Sequence, residues 1–271
     1  MRDLEPSPTE TEEPAGDASK PAGGARWGSS ALEELREAVR GVHAPGAVAC
    51  VVATLAIVVS HHQGDTAYFR VHLGPHLSAS RLSELYPYLY WFSASVALYL
   101  LLPLAAAAAT PGLRVRATGL GLGDWRAGLF AVAVAFLLFA PVVFAASRFS
   151  DFSQHYPLCK AAKGSLGAFL LYEAFYAAYF VGWEYLFRGY LLFSLEPSMG
   201  KLAVFAQMMP FAVLHFGKPQ AETFGSIAAG IVLGLLALRT RSFWYGAVLH
   251  IAVAWSMDLF AAWTALKGLG S

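Results

Sequence analysis

Glu184 and Arg188 lie inside one of the most apolar stretches of the chain, Leu166 to Leu195, and two further polar singletons, His215 and His250, stand in the apolar stretches that follow. A carboxylate and a guanidinium four residues apart share one helical face, so each neutralises the other at a site of low dielectric. An unpaired charge at mid-helix costs about 2.5–3.5 kcal/mol on insertion. Ionisable groups in such a setting therefore point to function before they point to architecture. Glu173, eleven residues before Glu184, falls near the same azimuth and extends the polar stripe. Its simpler reading is an interhelical hydrogen bond from a protonated carboxyl.

A carboxylate and two histidines converging in a wet cavity support two chemistries. One is hydrolysis, with a buried glutamate as general base for water and a histidine N–H holding the developing oxyanion or protonating the leaving amine. The other is metal binding, since one Glu and two His make a catalytic zinc set. Here the three residues come from separate helices and lack the histidine pair at i and i+4 of the zincin pattern. Metal-free hydrolysis is the favoured expectation, with no metal and no cofactor required. Counted from the turns near 198 and 240 at the usual helical rise, Glu184 lies about 16 Å deep, His215 about 22 Å and His250 about 12 Å. The three are thus expected to meet within the membrane.

The elements that must hold them are transmembrane helices. The chain is 57% hydrophobic and 14% charged, with a mean hydropathy of +0.51, values of a polytopic membrane protein. Apolar runs long enough to cross about 30 Å of hydrocarbon occur near 45–62, 87–109, 127–147, 166–195, 200–216, 222–239 and 243–266. The predicted fold is all-α, with about seven spans, and the fourth run is long enough for a strongly tilted helix or for a span continued by a bent or interfacial segment after Gly182. The runs lack the period-two alternation of a β-barrel.

Residues 1–44 differ in kind. A polar, acidic tail rich in Pro, Glu, Ser, Thr and Gly is expected to be disordered. Ser30-Ala31-Leu32-Glu33 reads as a capping box opening a short amphipathic helix through Leu32, Leu35 and Val39, lying at the membrane interface. Residues 45–271 form the membrane domain, with the catalytic core at about 166–260. No cleavable signal peptide is expected, so the first span serves as the insertion signal. The arginines at 239–241 and 114–126 favour a cytoplasmic amino end, although the bias between loops is slight. Cys50 and Cys159 read as packing residues, not as a disulfide framework. A net charge of +1 and the absence of a phosphate-binding glycine loop exclude a case for nucleic-acid or nucleotide partners.

The stretch Trp183-Glu184-Tyr185-Leu186-Phe187-Arg188, followed by Phe211-Ala212-Val213-Leu214-His215 and by His250, resembles the three motifs of the CPBP family, the CAAX-processing and bacteriocin-processing Abi-type intramembrane endopeptidases. Leu120 to Trp125 is also similar to that family. The resemblance implies a glutamate-type protease in a helical membrane core. Glu184 and His215 would activate water, His250 would help form the oxyanion site, and Arg188 would order the carboxylate. The chain departs from the family patterns in two places: Trp183 stands where the first of two glutamates is expected, and Ala254 where an asparagine follows His250. Asp258 is a partial substitute for that amide, or else an interfacial residue at a span end.

The expected function is an integral, multi-pass membrane peptidase acting on a membrane protein or peptide, placed in the cell membrane if the source is bacterial, with no assignment of oligomeric state. The alternative is a noncatalytic binding, immunity or scaffolding protein of the same fold. Ser226, Gly230 and Gly234 read as a small-residue packing seam, Phe243, Trp244 and Tyr245 as an interfacial aromatic belt, and Tyr172, Tyr176 and Tyr179 as candidates to line the cavity.

Overall fold

A computed structural model of the chain describes residues 27–80, 82–148 and 154–268. The tail expected to be disordered lies, up to residue 26, outside the described residues. Among the described residues, short 3-10 turns aside, there are eight helices: α1 (Trp27–Ala38), α2 (Ala44–His76), α3 (Tyr86–Ala109), α4 (Trp125–Ala146), α5 (Leu166–Met199), α6 (Leu202–Val213), α7 (Gln220–Thr240) and α8 (Trp244–Gly268). No strand occurs among the described residues. The chain divides into two compact units after Val42. In the first, α1 begins three residues before Ser30, so Ser30 lies within the helix instead of capping it. Leu32 and Leu35 are exposed along it, and Val39, just past its end, is exposed as well.

The second unit contains six helices long and apolar enough to cross a membrane: α2, α3, α4, α5, α7 and the Trp244–Ala262 part of α8. The protein is an integral, multi-pass helical membrane protein. The fifth expected run, 200–216, is shorter than the sequence suggested. Helix α6 has 12 residues, about 18 Å of rise, and residues 214–218 then turn, with Gly217 at φ +88°. Pro210 lies in the last turn of that helix. The loop that carries His215 therefore folds back before a full span is complete, and α7 returns antiparallel against α6.

Helix α5 is the centre of the unit. It packs against α2, α3, α6 and α8, and every residue from Gly182 to Leu195 is buried. Ser165 caps its start, accepting a hydrogen bond from the Ala168 N–H at 3.1 Å, which satisfies one of the free donors of the first turn. Over Tyr185–Leu191 the helix widens to π-type turns, a local widening often found at functional sites. The run thus continues past Gly182 as one helix to Met199.

Two features register the end of the bundle beyond Glu184. The loop before α4 is strapped to the α7–α8 turn: Asp124 N–H donates to Thr240 O, Trp244 Nε1–H to Leu120 O at 2.9 Å, and the Tyr245 hydroxyl to Leu122 O at 2.6 Å. Gly123, at φ +52°, permits this approach, because a Cβ there would lie 1.8 Å from Thr240 O. Phe243 and Tyr245 are accordingly buried at 0% and 3% exposure. The expected aromatic belt is instead an internal anchor for that loop. Along the α6–α7 contact, Gln207 Nε2 donates to Gly230 O at 2.8 Å, and Cβ atoms at Gly230 and Gly234 would meet Met208 Cγ at 2.7 Å and Gln207 Nε2 at 2.8 Å. The small-residue seam is thus real, and α6 is what it admits.

Candidate active site

Glu184 stands at the last regular turn of α5 and Arg188 in the widened turns that follow, and both are 0% exposed. Arg188 Nη1 donates to Glu184 Oε1 at 3.0 Å. The guanidinium carbon lies 3.8 Å from the centre of the Phe211 ring, a cation–π contact strengthened by desolvation. From α8, His250 Nδ1 meets the same Glu184 Oε1 at 2.9 Å. Glu184 therefore holds a cation on one side and an imidazole on the other, all within the bundle. Glu184 Oε2 points to Gly246, one turn before His250, where a Cβ would sit 2.7 Å away. The Gly-x-x-x-His spacing in α8 is the local reason the helix comes close enough for the contact. It was legible in the sequence but carried no signal there, because only the tertiary fold places Glu184 opposite it.

His215 is 5% exposed and lies just past α6. Its Nδ1 is 2.8 Å from Phe211 O. A carbonyl only accepts, so Nδ1 carries the hydrogen and Nε2 is left with its lone pair. Trp183 packs edge-on against the His215 ring, centroids 5.8 Å apart, and against Phe211 at 5.9 Å. Phe180, one turn before Glu184, lies against His250 at 4.2 Å. These aromatics fix both imidazoles from the sides.

A cavity of about 440 Å³ reaches this group. His215, His250 and Trp183 line it, together with Tyr176, Tyr179 and Phe180; His155, Lys160 and Lys218 add polar groups to its wall. Glu184 and Arg188 do not line it, and of the three tyrosines expected to do so, Tyr172 does not. Lys218 is paired to Glu222 at 2.6 Å, and Glu222 also accepts from the Tyr156 hydroxyl. Burial pushes the Lys160 ammonium and the His155 imidazole below their usual values.

Of the four residues singled out in the sequence, the fold joins Glu184, Arg188 and His250 directly and brings His215 to the same cavity. Asp258 is elsewhere. It is 0% exposed and faces Glu173, two turns further along α8 than His250. It does not stand beside His250 as a replacement for the amide absent at Ala254 would. Cys50 and Cys159 are free thiols. Among the described residues no three His, Cys, Asp or Glu side chains are grouped as a metal site.

The fold and the cluster define a class: polytopic helical membrane proteins in which a buried carboxylate–arginine–histidine chain ends at a cavity. The family described as Rce1-like, type II CAAX prenyl endopeptidase, matches residues 165–256. That segment holds Glu184, Arg188, His215 and His250, and it places the resemblance read from the motifs within the CPBP group. The match supports a membrane protease-type function. No curated protein and no solved structure matches the chain.

Proposed function

We propose that the protein is an intramembrane endopeptidase that hydrolyses a peptide bond of a membrane-associated protein or peptide without a resident metal. The observation that carries this reading is the Arg188–Glu184–His250 chain, whose last member shares a cavity with His215 Nε2. His215 Nε2 is the general base: it takes a proton from water as the water oxygen attacks the scissile carbonyl carbon. His250, with its Nδ1–H held by Glu184 Oε1, presents Nε2 to the cavity and in its protonated form donates to the oxyanion of the tetrahedral intermediate. Collapse of that intermediate expels the amine, which takes the proton from His215, leaving a carboxylic acid and an amine. Glu184 acts through His250 instead of on water directly, since it is wholly buried and off the cavity wall. Arg188 positions the carboxylate.

This assignment differs from the roles implied by the family resemblance, in which Glu184 itself activates water. Trp183, standing in place of the first glutamate, leaves only one carboxylate, and that one is occupied by Arg188 and His250. The same tryptophan favours the second reading, a noncatalytic binding protein, because its indole Nε1–H has no hydrogen-bond partner among the described residues and its ring walls the cavity.

The test compares the new peptide termini in the membrane proteome of cells carrying wild-type protein, His215→Ala or Glu184→Gln at equal abundance. Truncated forms of a membrane protein that vanish in both variants establish the peptidase. Unchanged termini, with the cellular phenotype intact in both, sink it in favour of the binding protein.

A further inference from the structure

The reaction proposed above makes no use of the second acidic side chain on α5. Glu173 is 5% exposed and Asp258 of α8 is 0% exposed, and the bond from Trp255 Nε1–H, one turn before Asp258, to Glu173 O at 3.2 Å puts the two carboxyls at one level of the helix pair. Among the described residues no donor reaches any of the four oxygens. The lysines that act on Asp258 from a distance are each held elsewhere: Lys160 Nζ by Tyr156 O, Lys163 Nζ by Ala261 O and Lys218 Nζ by Glu222. Two charged carboxylates buried side by side would repel each other, and each would carry the desolvation cost of an ion as well. One proton between them converts the repulsion into a short charge-assisted O–H···O bond, the state in which such pairs titrate as a unit.

The place of the pair gives it a task. Helices α5 and α8 run antiparallel and are tied at two polar levels. At one, Glu184 meets His250; at the other, Glu173 meets Asp258, and Trp255 Nε1–H donates to Glu173 O at 3.2 Å. The levels are eleven residues apart on α5 and eight on α8, about 16 and 12 Å of rise. An axial slip or rotation at the second level is transmitted by two stiff helices to the first, where Glu184 Oε1 must stay within hydrogen-bond length of both Arg188 and His250. We propose that Glu173 and Asp258 share a proton and thereby set the register of α5 against α8 that holds His250 on Glu184; they are positioning residues for the site. The activity part of this inference rests on the peptidase reading, whereas the register itself does not.

The experiment uses the full chain in nanodiscs. Infrared difference spectra between wild type and the double variant Glu173→Gln with Asp258→Asn should show the deuterium-sensitive carbonyl band of a protonated carboxyl in the wild type only. Nitrogen-15 histidine spectra, assigned by loss in His250→Ala, should show a slowly exchanging Nδ1–H in the wild type that broadens away in Asp258→Leu. Asp258→Asn and Glu173→Gln each keep a donor and an acceptor at the pair and should retain that signal. With a cleaved substrate in hand, Asp258→Leu should lower kcat at least about tenfold with little change in KM, and the two amide variants should stay near wild type. A wild type without the protonated carboxyl band overturns the proposal, as does a folded Asp258→Leu with an unchanged His250 signal. Should Asp258→Leu fail to fold, the amide variants still decide: a lost His250 signal in both would overturn the pairing. The two spectroscopic readouts need no substrate, so a failure of the peptidase reading leaves them intact.

Discussion

A single methyl group at Gly246 tests whether the close approach of α8 to Glu184 is what builds the site. In Gly246→Ala the new Cβ would stand 2.7 Å from Glu184 Oε2 and 3.5 Å from its Cδ, where ordinary contact begins near 3.4 Å. The carboxylate or the helix must therefore move by about 0.7 Å, the difference between those contact distances. Elsewhere the end of a glutamate would swing aside cheaply. Here Oε1 is held by Arg188 at 3.0 Å and by His250 at 2.9 Å, and the side chain has no exposed surface into which to turn. A shift of that size takes one of the two bonds to about 3.6 Å, beyond useful hydrogen-bond length. The expected cost is about 1–3 kcal/mol of stability, and between one and two orders of magnitude in turnover, given that a misplacement of about 1 Å costs on the order of a hundredfold. The comparison variant is Gly167→Ala, on the first turn of α5, where a Cβ meets nothing within 4 Å. The assay is cleavage of the substrate identified from the peptide termini, with thermal unfolding in detergent alongside. Gly246→Ala that cleaves like wild type would refute the reasoning, because the register of α8 would then not be limiting.

Removing Arg188 leaves Glu184 as a buried charge with only His250 beside it, so Arg188→Leu should destabilise by about 3–5 kcal/mol, while Arg188→Leu combined with Glu184→Leu should lose less; unfolding midpoints of the single and double variants decide. At Asp124, the Ala127 N–H and then Arg239 hold the carboxyl below its usual range. Its contribution is therefore complete above the unfolded value of about 3.9 and disappears as pH falls through the lower folded value. Wild-type unfolding temperature should drop over that acid window more than that of Asp124→Asn, and parallel profiles would count against a stabilising role for the carboxyl's bonds to Ala127 and Arg239. Gly123→Ala should be more damaging than any exposed substitution in its loop, since the methyl would overlap Thr240 O at a positive φ; loss of folded yield at ordinary temperature is the expected outcome. Burial raises the Cys159 thiol above its usual value, so at neutral pH it should resist alkylation until the protein is unfolded, as read by mass spectrometry of labelled peptides.

Composition and run length were enough to specify a helical membrane protein, because the bilayer accepts only segments whose backbone groups are satisfied internally and the apolar runs have the length that this demands. Polar singletons inside those runs were enough to pick out Glu184, Arg188, His215 and His250, because burying such groups without purpose is costly. The i, i+4 spacing of Glu184 and Arg188 made their pairing legible without any tertiary information, and the motifs they belong to pointed to the family whose description matches residues 165–256. Helix count was less legible. The run at 200–216 has the composition of a span, and only the turn at residues 214–218 shows that α6 stops short and delivers His215 to the cavity. Phe243 and Tyr245 have the residue types of an interfacial belt, and only the strap of residues 119–124 shows them to be internal. Asp258 has the sequence position of a partner for His250, yet the crossing of α5 and α8 gives it to Glu173. The physical reason is common to all three. Local spacing dictates which residues share a helical face, whereas the rotation and axial register of one helix against another come from packing at contacts such as Gly246 against Glu184, which join residues far apart in the chain.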